Sequence, residues 1–542
     1  MRQQHNSGRL KRCLKKENWK YLIALLIIWV VQMAAAFYFC TQKQGFHEDE
    51  YYTYYATART NGFYVEDGQW MDGETYRNEF VVLPDQRFQY GLVKLVQSWD
   101  VHPPMYYWLF HTVASLVPNV FSKWIGLSVN LLLHGVNLIL LTYLSYLVCG
   151  RDKKIPLFVT GFYGLTPAAL SGVVFIRMYE MLTVLVLLCA ILHVRAVEAD
   201  EKKLSVGKCL IPMAVATYIG FLTQYYYFIF LFFLAIAFGV WLLWRDRNLW
   251  NCIRYGAAQG IALVLAYLTY PSCLGQMFRG QRGAQATENF FNLSNTFQRI
   301  GFFLDLMNRY VFGHLLWILL LFIVLLVVTM LAVTVRRRNK GGSLGTGYMM
   351  LVFTAVGYFL AVSKTALLLG GTSVRYQLPI YGIVVLLVFA GIAFAIGDKK
   401  YIGILGVVFC LVMLAWGHRL DGVEFLYPED AEQVAFAEEC AAKDIPVVYL
   451  YKKGEEWCIW DVANELFAYP EVYFVDVQRG AQDELYANAE RIQNADALVV
   501  YLANAADTDE QAVRDAVGEQ WETNNGQLMF SEKYCNVYFF CN

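Results

Sequence analysis

Three acidic residues and a histidine stand together in the stretch GFHEDEYYTYYATART, as His47, Glu48, Asp49 and Glu50. Carboxyls this close raise one another's proton affinity, and partial burial adds to the effect. The group has the chemistry of a tuned base or a metal site; the plainer reading is a solvated charge run. Further on the chain reads FQYGLVKLVQSWDVHPPMYYWLFH. Here Asp100 and His102 precede Pro103–Pro104, whose rigid backbone presents both side chains repeatably. Taken alone, His-Pro-Pro reads as a turn.

A membrane must position these residues. Hydrophobic residues make up 57% of the 542 and charged residues only 16%, with a mean hydropathy of +0.38. Soluble domains carry roughly 25% charged residues, so this chain needs the bilayer as its solvent. A net charge of −1 gives no basic footprint for nucleic acid. Apolar runs fall near 21–40, 125–149, 155–175, 179–197, 206–222, 225–244, 255–273, 311–335, 348–368, 376–396 and 401–417. Each approaches the ~20 residues that cross a ~30 Å hydrocarbon layer, so the sequence predicts about eleven transmembrane helices. The first run ends in FYFC rather than in small residues, and so reads as a span and not as a cleaved signal.

Residues 1–20 are basic and are expected in the cytoplasm, as are the turns RDKK (151–154), EADEKK (198–203), RDR (245–247), RRRNK (336–340) and GDKK (397–400). Counting YYWLFHTVASLVP (106–118) as a span would throw those basic turns outside, so it is expected to be an interfacial helix. FQYGLVKLVQSW is amphipathic at helical spacing and suits the same interface. The transmembrane domain thus covers 21–420, with large outer loops at 41–124 and 274–310. Residues 421–542 form an extracytoplasmic domain with 25 acidic and 7 basic residues. In it VVYLY (447–451), EVYFVDV (471–477) and ALVVYLA (497–503) read as strands between helix-like stretches, including TDEQAVRDAVGEQW. That predicts an α/β domain with a parallel sheet, closed by a hairpin around MFSEKYCNVYFF. Cys440, Cys458, Cys535 and Cys541 are candidates for one or two disulfides, with buried thiols as the alternative. The lone GGSLGTG (341–347) lacks the strand and Lys-Ser/Thr context of a phosphate loop.

The acidic pair just beyond the first span, followed by His-Pro-Pro-aromatic before the second, resembles the GT-C membrane glycosyltransferases. It is most similar to the protein O-mannosyltransferase-like group, glycosyltransferase family 39, in its bacterial branch. The likeness covers about 20–420. It implies a multi-pass transferase of the plasma membrane, with its N-terminus in the cytoplasm and its C-terminus outside. The donor is a polyprenyl-phosphate sugar and the acceptor a hydroxyl of a protein, lipid or wall polymer. By the same resemblance Asp49 is the base, Glu50, which follows it in the motif, is the second catalytic residue, and Asp100 positions substrate or a metal. The extra acid Glu48 leaves open which carboxylate is the base.

Cations on the expected outer side fit that reading, because a polyprenyl phosphate leaves well only if its growing charge is stabilised. They are Arg177 in FIRMYE, Arg279 and Arg282 in RGQRG, Lys364, and Arg375 in TSVRY. Arg177, Arg375 and Lys364 are expected to bind the lipid phosphate, with His102, Tyr179 and Tyr376 among the substrate contacts. A divalent metal held by Asp49, Asp100 and His102 is an option. The aromatics of QYYYF (224–228) suit sugar stacking or the ordinary interfacial belt. Asn130, His134, Asn137 and His314 read as interhelical hydrogen-bonding residues. The competing classes are a non-catalytic polyprenyl-lipid-binding scaffold, a transporter, and a non-glycosyl transferase on a similar scaffold.

Overall fold

The computed structural model describes residues 16–58, 65–150, 152–199, 204–247, 249–325, 345–396, 400–477, 492, 494–504 and 526–541. The chain divides into two compact units. One comprises Met1–Thr41, Gln97–Tyr106 and Gly126–Glu424, the other Gln42–Val96, Tyr107–Ile125 and Phe425–Asn542.

The first unit is helical. Among the described residues of the chain, nine helices are long and apolar enough to cross a membrane: Trp19–Gln42, Lys123–Val148, Tyr179–Ala199, Val206–Thr223, Tyr226–Asp246, Trp250–Thr269, Thr346–Thr365, Leu378–Ala395 and Gly403–Leu420. They coincide with nine of the eleven expected spans. The run 155–175 differs, because it is two helices, Lys154–Tyr163 and Pro167–Val174, bent by 58°. The cause is local. Thr166 caps the second helix by accepting from Ala169 N–H, and Pro167 starts it. Of the run 311–335, the apolar helix Leu316–Leu325 is described. Residues 326–335 of that run, the turns RRRNK and EKK (201–203), most of GGSLGTG and of GDKK, and the helix-like stretch 508–521 lie outside the described residues.

The short helix Met105–Leu116 has 12 residues, a rise of about 18 Å and too little to span, as expected. The other amphipathic segment forms the helix Tyr90–Gln97, which buries Val93 and Val96 while Leu95 stays exposed.

The second unit is built on a six-stranded sheet. Its strands are β1 (Gln69–Asp72), β2 (Val447–Tyr451), β3 (Glu471–Asp476), β4 (Ala497–Ala503), β5 (Gln527–Ser531) and β6 (Cys535–Cys541), in the order β1-β3-β2-β4-β6-β5. β2 runs parallel to both β3 and β4, and β5 and β6 form the expected antiparallel hairpin. Every residue of β2 and β4 is buried, which is why these strands read as unbroken apolar runs.

The first long loop takes part in this unit together with the C-terminal segment. β1 comes from the first long loop and pairs antiparallel with β3, Trp70 opposite Tyr473. Rings from that loop also pack with rings of the C-terminal segment: Tyr52 on Trp460, Phe80 on Phe467 and Phe121 on Phe467, with centroids 4.3–5.4 Å apart. Loop and C-terminal segment therefore share one core. Cys440, Cys458 and Cys535 are buried thiols without a disulfide, so of the two readings offered by the cysteines the buried-thiol one holds for these three. Burial pushes the Cys458 thiol up to about 12.

Candidate active site

In the second unit the helix Glu48–Ala58 carries all three acids in its first turn, where the positive end of the helix dipole favours negative charge. Their neighbours differ. Glu48 receives the Lys533 ammonium at 2.9 Å and a hydrogen bond from the Tyr534 hydroxyl. Glu50 is fully buried, held at 2.9 Å by the equally buried Lys43 and at 2.6 Å by the His47 N–H. Lys43 also donates to Phe425 O at 2.7 Å, so its charge is tied into the core. Asp49 keeps 26% of its side chain exposed, with His47 Nδ1 at 3.6 Å. His47 Nδ1 accepts the Asp49 N–H at 3.0 Å, which puts the imidazole proton on Nε2. The cluster thus contains one acid buried on a lysine, Glu50, and two that stay partly exposed, Glu48 at 21% and Asp49 at 26%. Gly45 is required here, because a Cβ at this position would collide with the Asp430 carboxylate.

Further carboxyls lie around this motif. Burial first, and then neighbouring Glu429, pushes Asp430 up to about 7. Burial and Glu48 do the same to Asp461, and burial with Asp430 and Asp461 to Glu532. A raised acid pKa stabilises the fold fully below the unfolded value near 4, and the contribution is lost as pH rises through the folded value. The unit should therefore be most heat-stable in mild acid. Its melting temperature, followed by tryptophan fluorescence of the purified protein, should fall by roughly 5–10 °C between pH 5 and pH 8. Asp461→Asn should blunt that fall; a flat profile in the unmodified protein would contradict the account.

In the first unit Asp100, His102 and Arg177 meet. His102 Nδ1 lies 3.1 Å from Asp100 Oδ2, and Arg177 Nη2 lies 3.3 and 3.4 Å from the two ring nitrogens. Burial would raise the Asp100 carboxyl, but His102 and Arg177 hold it below its ordinary value. Gln276 and Tyr270 fix the segment from the other side: Gln276 Nε2 donates to Asp100 O at 2.6 Å and the Tyr270 hydroxyl to Gln97 O at 2.6 Å.

Arg177 sits in the interruption between the helices Pro167–Val174 and Tyr179–Ala199. A broken helix frees backbone carbonyls, which within a membrane must find donors. Asn130 supplies them, donating to Val173 O at 3.1 Å and Phe175 O at 2.6 Å. Two turns along the same helix, Asn137 donates to Glu180 O and Oε2 at 3.1 and 2.5 Å, and His134 lies 3.6 Å from Glu180. The expected interhelical hydrogen bonding of Asn130 and Asn137 is thereby met, in the specific form of a clamp on both sides of Arg177, whereas His134 stays just beyond hydrogen-bond distance of Glu180. His314 instead bonds Asp421 at 2.7 Å.

Arg375, buried on the turn Gly370–Tyr376, lies 5.3 Å from the Phe175 ring and 5.0 Å from that of Tyr376. Phe175 stacks on Tyr179, whose ring meets Tyr376 at 6.1 Å. Asp100, His102, Arg177, Tyr179, Arg375 and Tyr376 are therefore linked through contacts around Phe175. Lys364 is placed differently from its expected role at a phosphate. Its ammonium donates to Asn292 O at 2.5 Å, Asn295 Oδ1 at 2.7 Å and Thr296 Oγ1 at 2.9 Å. An ammonium has three protons, so none remains for a phosphate in this arrangement. Lys364 anchors the 292–296 turn instead. Arg279 and Arg282 lie exposed.

A metal does not fit the expected ligands. The His102 nitrogens face the Arg177 guanidinium, a cation where a metal would stand. Among the described residues no group of three or more His, Cys, Asp or Glu is placed to hold a metal ion.

Sequence reasoning missed Lys43, Lys533, Tyr534, Glu180 and the buried Arg299, which donates to Ser363 O at 3.0 Å. Lys43 carried a usable signal: a lone lysine just beyond the expected outer end of a span runs against the positive-inside bias.

Fold and residues together define a multi-pass α-helical membrane protein with an α/β unit that joins the first long loop to the C-terminal segment. No family model matches the chain, and no curated protein matches it. Among solved structures it is similar to ArnT from Cupriavidus metallidurans bound to undecaprenyl phosphate, with 12% identity, 97% of this chain and 98% of that one covered, and a TM-score of 0.49. It is also similar to the apo oligosaccharyltransferase from Archaeoglobus fulgidus, with 10% identity, 90% and 70% covered, and a TM-score of 0.48. A third is the oligosaccharyltransferase AglB of the same organism with an inhibitory peptide and a dolichol-phosphate, at 12% identity, 96% and 74% covered, and a TM-score of 0.43.

Proposed function

We propose that this protein is a GT-C-type glycosyltransferase that moves a sugar from a polyprenyl-phosphate donor to an acceptor hydroxyl at the outer face of the membrane. The observation that carries the reading is the setting of the three acids: Glu50 is buried on Lys43 and Glu48 meets Lys533, while Asp49 keeps 26% of its side chain exposed beside His47. Asp49 takes the proton of the acceptor hydroxyl as that oxygen attacks the anomeric carbon from the side opposite the phosphate. The bond from that carbon to the phosphate oxygen breaks, and its electron pair leaves with the polyprenyl phosphate. The anomeric configuration inverts. Arg177 and Arg375 meet the developing phosphate charge; a guanidinium suits this because it offers parallel donors to phosphate oxygens. His102 and Asp100 hold Arg177 in orientation, and Tyr179 and Tyr376 line the same neighbourhood.

The direct test is lipid extraction from a strain lacking the protein. A polyprenyl-phosphate sugar should accumulate, and an unchanged lipid profile would count against transfer. Orientation has its own test. A cysteine placed near 430 should react with a membrane-impermeant maleimide on intact cells, and one near 340 only after permeabilisation. The opposite pattern would invert the topology and remove the outer-face assignment.

A further inference from the structure

The C-terminal sheet reaches the acidic motif through the turn of its terminal hairpin. Glu532 N–H bonds Cys535 O at 2.8 Å and closes the turn between β5 and β6. Asn504, just past the carboxyl end of β4, pins the turn from below. Its N–H donates to Tyr534 O at 2.7 Å and its side chain to Lys533 O at 3.3 Å. On the other side the Tyr534 N–H bonds the Asp461 carboxylate, and the Trp457 ring meets the Tyr534 ring edge-on at 4.8 Å. The turn is thus fixed by backbone bonds before its side chains act. Those side chains converge on one group: Lys533 Nζ lies 2.9 Å from Glu48 Oε2, the Tyr534 hydroxyl bonds the same carboxylate, and the ammonium stands 4.5 Å from the tyrosine ring centroid.

We propose that Lys533 and Tyr534 are positioning residues for catalysis, holding Glu48 so that the first turn of the helix Glu48–Ala58 aims the adjacent Asp49 at the acceptor. The proposal rests on Asp49 being the base. Its physical content is that Glu48 and Asp49 are consecutive residues of one helical turn, so a grip on the first limits how far the second can swing. The geometry also locates the grip. β2 is flanked by β3 on one side and β4 on the other, so chain order reverses between β2 and β4, and the hairpin turn lies at the carboxyl ends of these strands. In open α/β sheets that edge is where ligands are met. The pair is partly exposed, with Lys533 at 52% and Glu48 at 21%, so it adds little to stability and can be removed without unfolding the sheet.

The test uses the full-length protein in nanodiscs, with tritium-labelled polyprenyl-phosphate mannose, glucose and galactose as donors and membranes of the deletion strain as acceptor. Lys533→Met and Tyr534→Phe should each lower kcat by roughly tenfold, the scale of a small loss of reactant alignment, with KM for the donor unchanged. Lys533→Arg should keep most of the activity. Glu48→Gln should match Lys533→Met, and the double variant should be no worse than either, because one interaction has been removed twice. Hydrogen exchange of the first-turn amides of Glu48–Ala58 should quicken in Lys533→Met, a readout that needs no donor. Unchanged exchange, additive losses in the double variant, or full kcat in Lys533→Met would each overturn the positioning role. Asp49→Asn separates the two ideas. If it is inactive while Lys533→Met is fully active, the base assignment stands and only the grip falls.

Discussion

Asp49→Asn should lower sugar transfer by about 10²–10⁴-fold, the range for losing a general base. The substitution keeps the side chain's size and much of its hydrogen bonding, and the residue sits partly in solvent, so folding should hardly change. Its two neighbours give the contrast. Glu48→Gln should cost only about tenfold, through alignment. Glu50→Gln should act on stability, because it strands Lys43, whose side chain is wholly buried. Breaking such a pair by removing one charge typically costs about 3–5 kcal/mol. Three adjacent acids should thus yield three different phenotypes in one assay set: turnover with a labelled polyprenyl-phosphate hexose, and thermal unfolding. Full turnover in Asp49→Asn would take the acidic motif out of the chemistry.

Arg177→Met should be the second severe variant, with a drop of roughly 10²–10³-fold in kcat, as when a preorganised donor to a developing anion is lost. Arg177→Lys should recover little. A lysine ammonium is a point charge without the planar fork that can lie across His102 and still face a phosphate. Binding of polyprenyl phosphate, read as a ligand-induced rise in melting temperature, should weaken in both. Lys364→Met should leave that binding close to the unmodified protein, since its ammonium is committed to Asn292, Asn295 and Thr296. Equal loss of lipid binding in Lys364→Met and Arg177→Met would return Lys364 to the phosphate.

Most of the membrane architecture was legible because a span needs only length and apolar content, and both can be read along the chain. The break at Gly164–Thr166 was not, although Thr-Pro spells a helix start, because the residues on both sides of it are apolar. The central strands were legible for the reason that makes them central, burial on both faces. β1 was not: four residues reading QWMD mean nothing until there is an edge to pair with. The acidic motif and the His-Pro-Pro segment announced themselves by residue type. The partner of Glu48 did not, because Lys533 meets it across 485 positions of sequence. The partners of Lys364 were hidden for the complementary reason. A charge at the end of a span suggests function, but its partners belong to a polar turn some 70 residues earlier, which hydropathy passes over.

The pairing of β1 with β3 also sets a schedule for biosynthesis. Trp70 leaves the ribosome about 400 residues before its partner Tyr473, and every helix between them must first be inserted. Until then the first long loop waits with its aromatic side chains uncovered, and β3 in turn would emerge with an open edge of the kind that templates aggregation. Ring closures of such sequence separation are slow. Folding of this protein should therefore be limited by a late joining of its first long loop and its C-terminal segment.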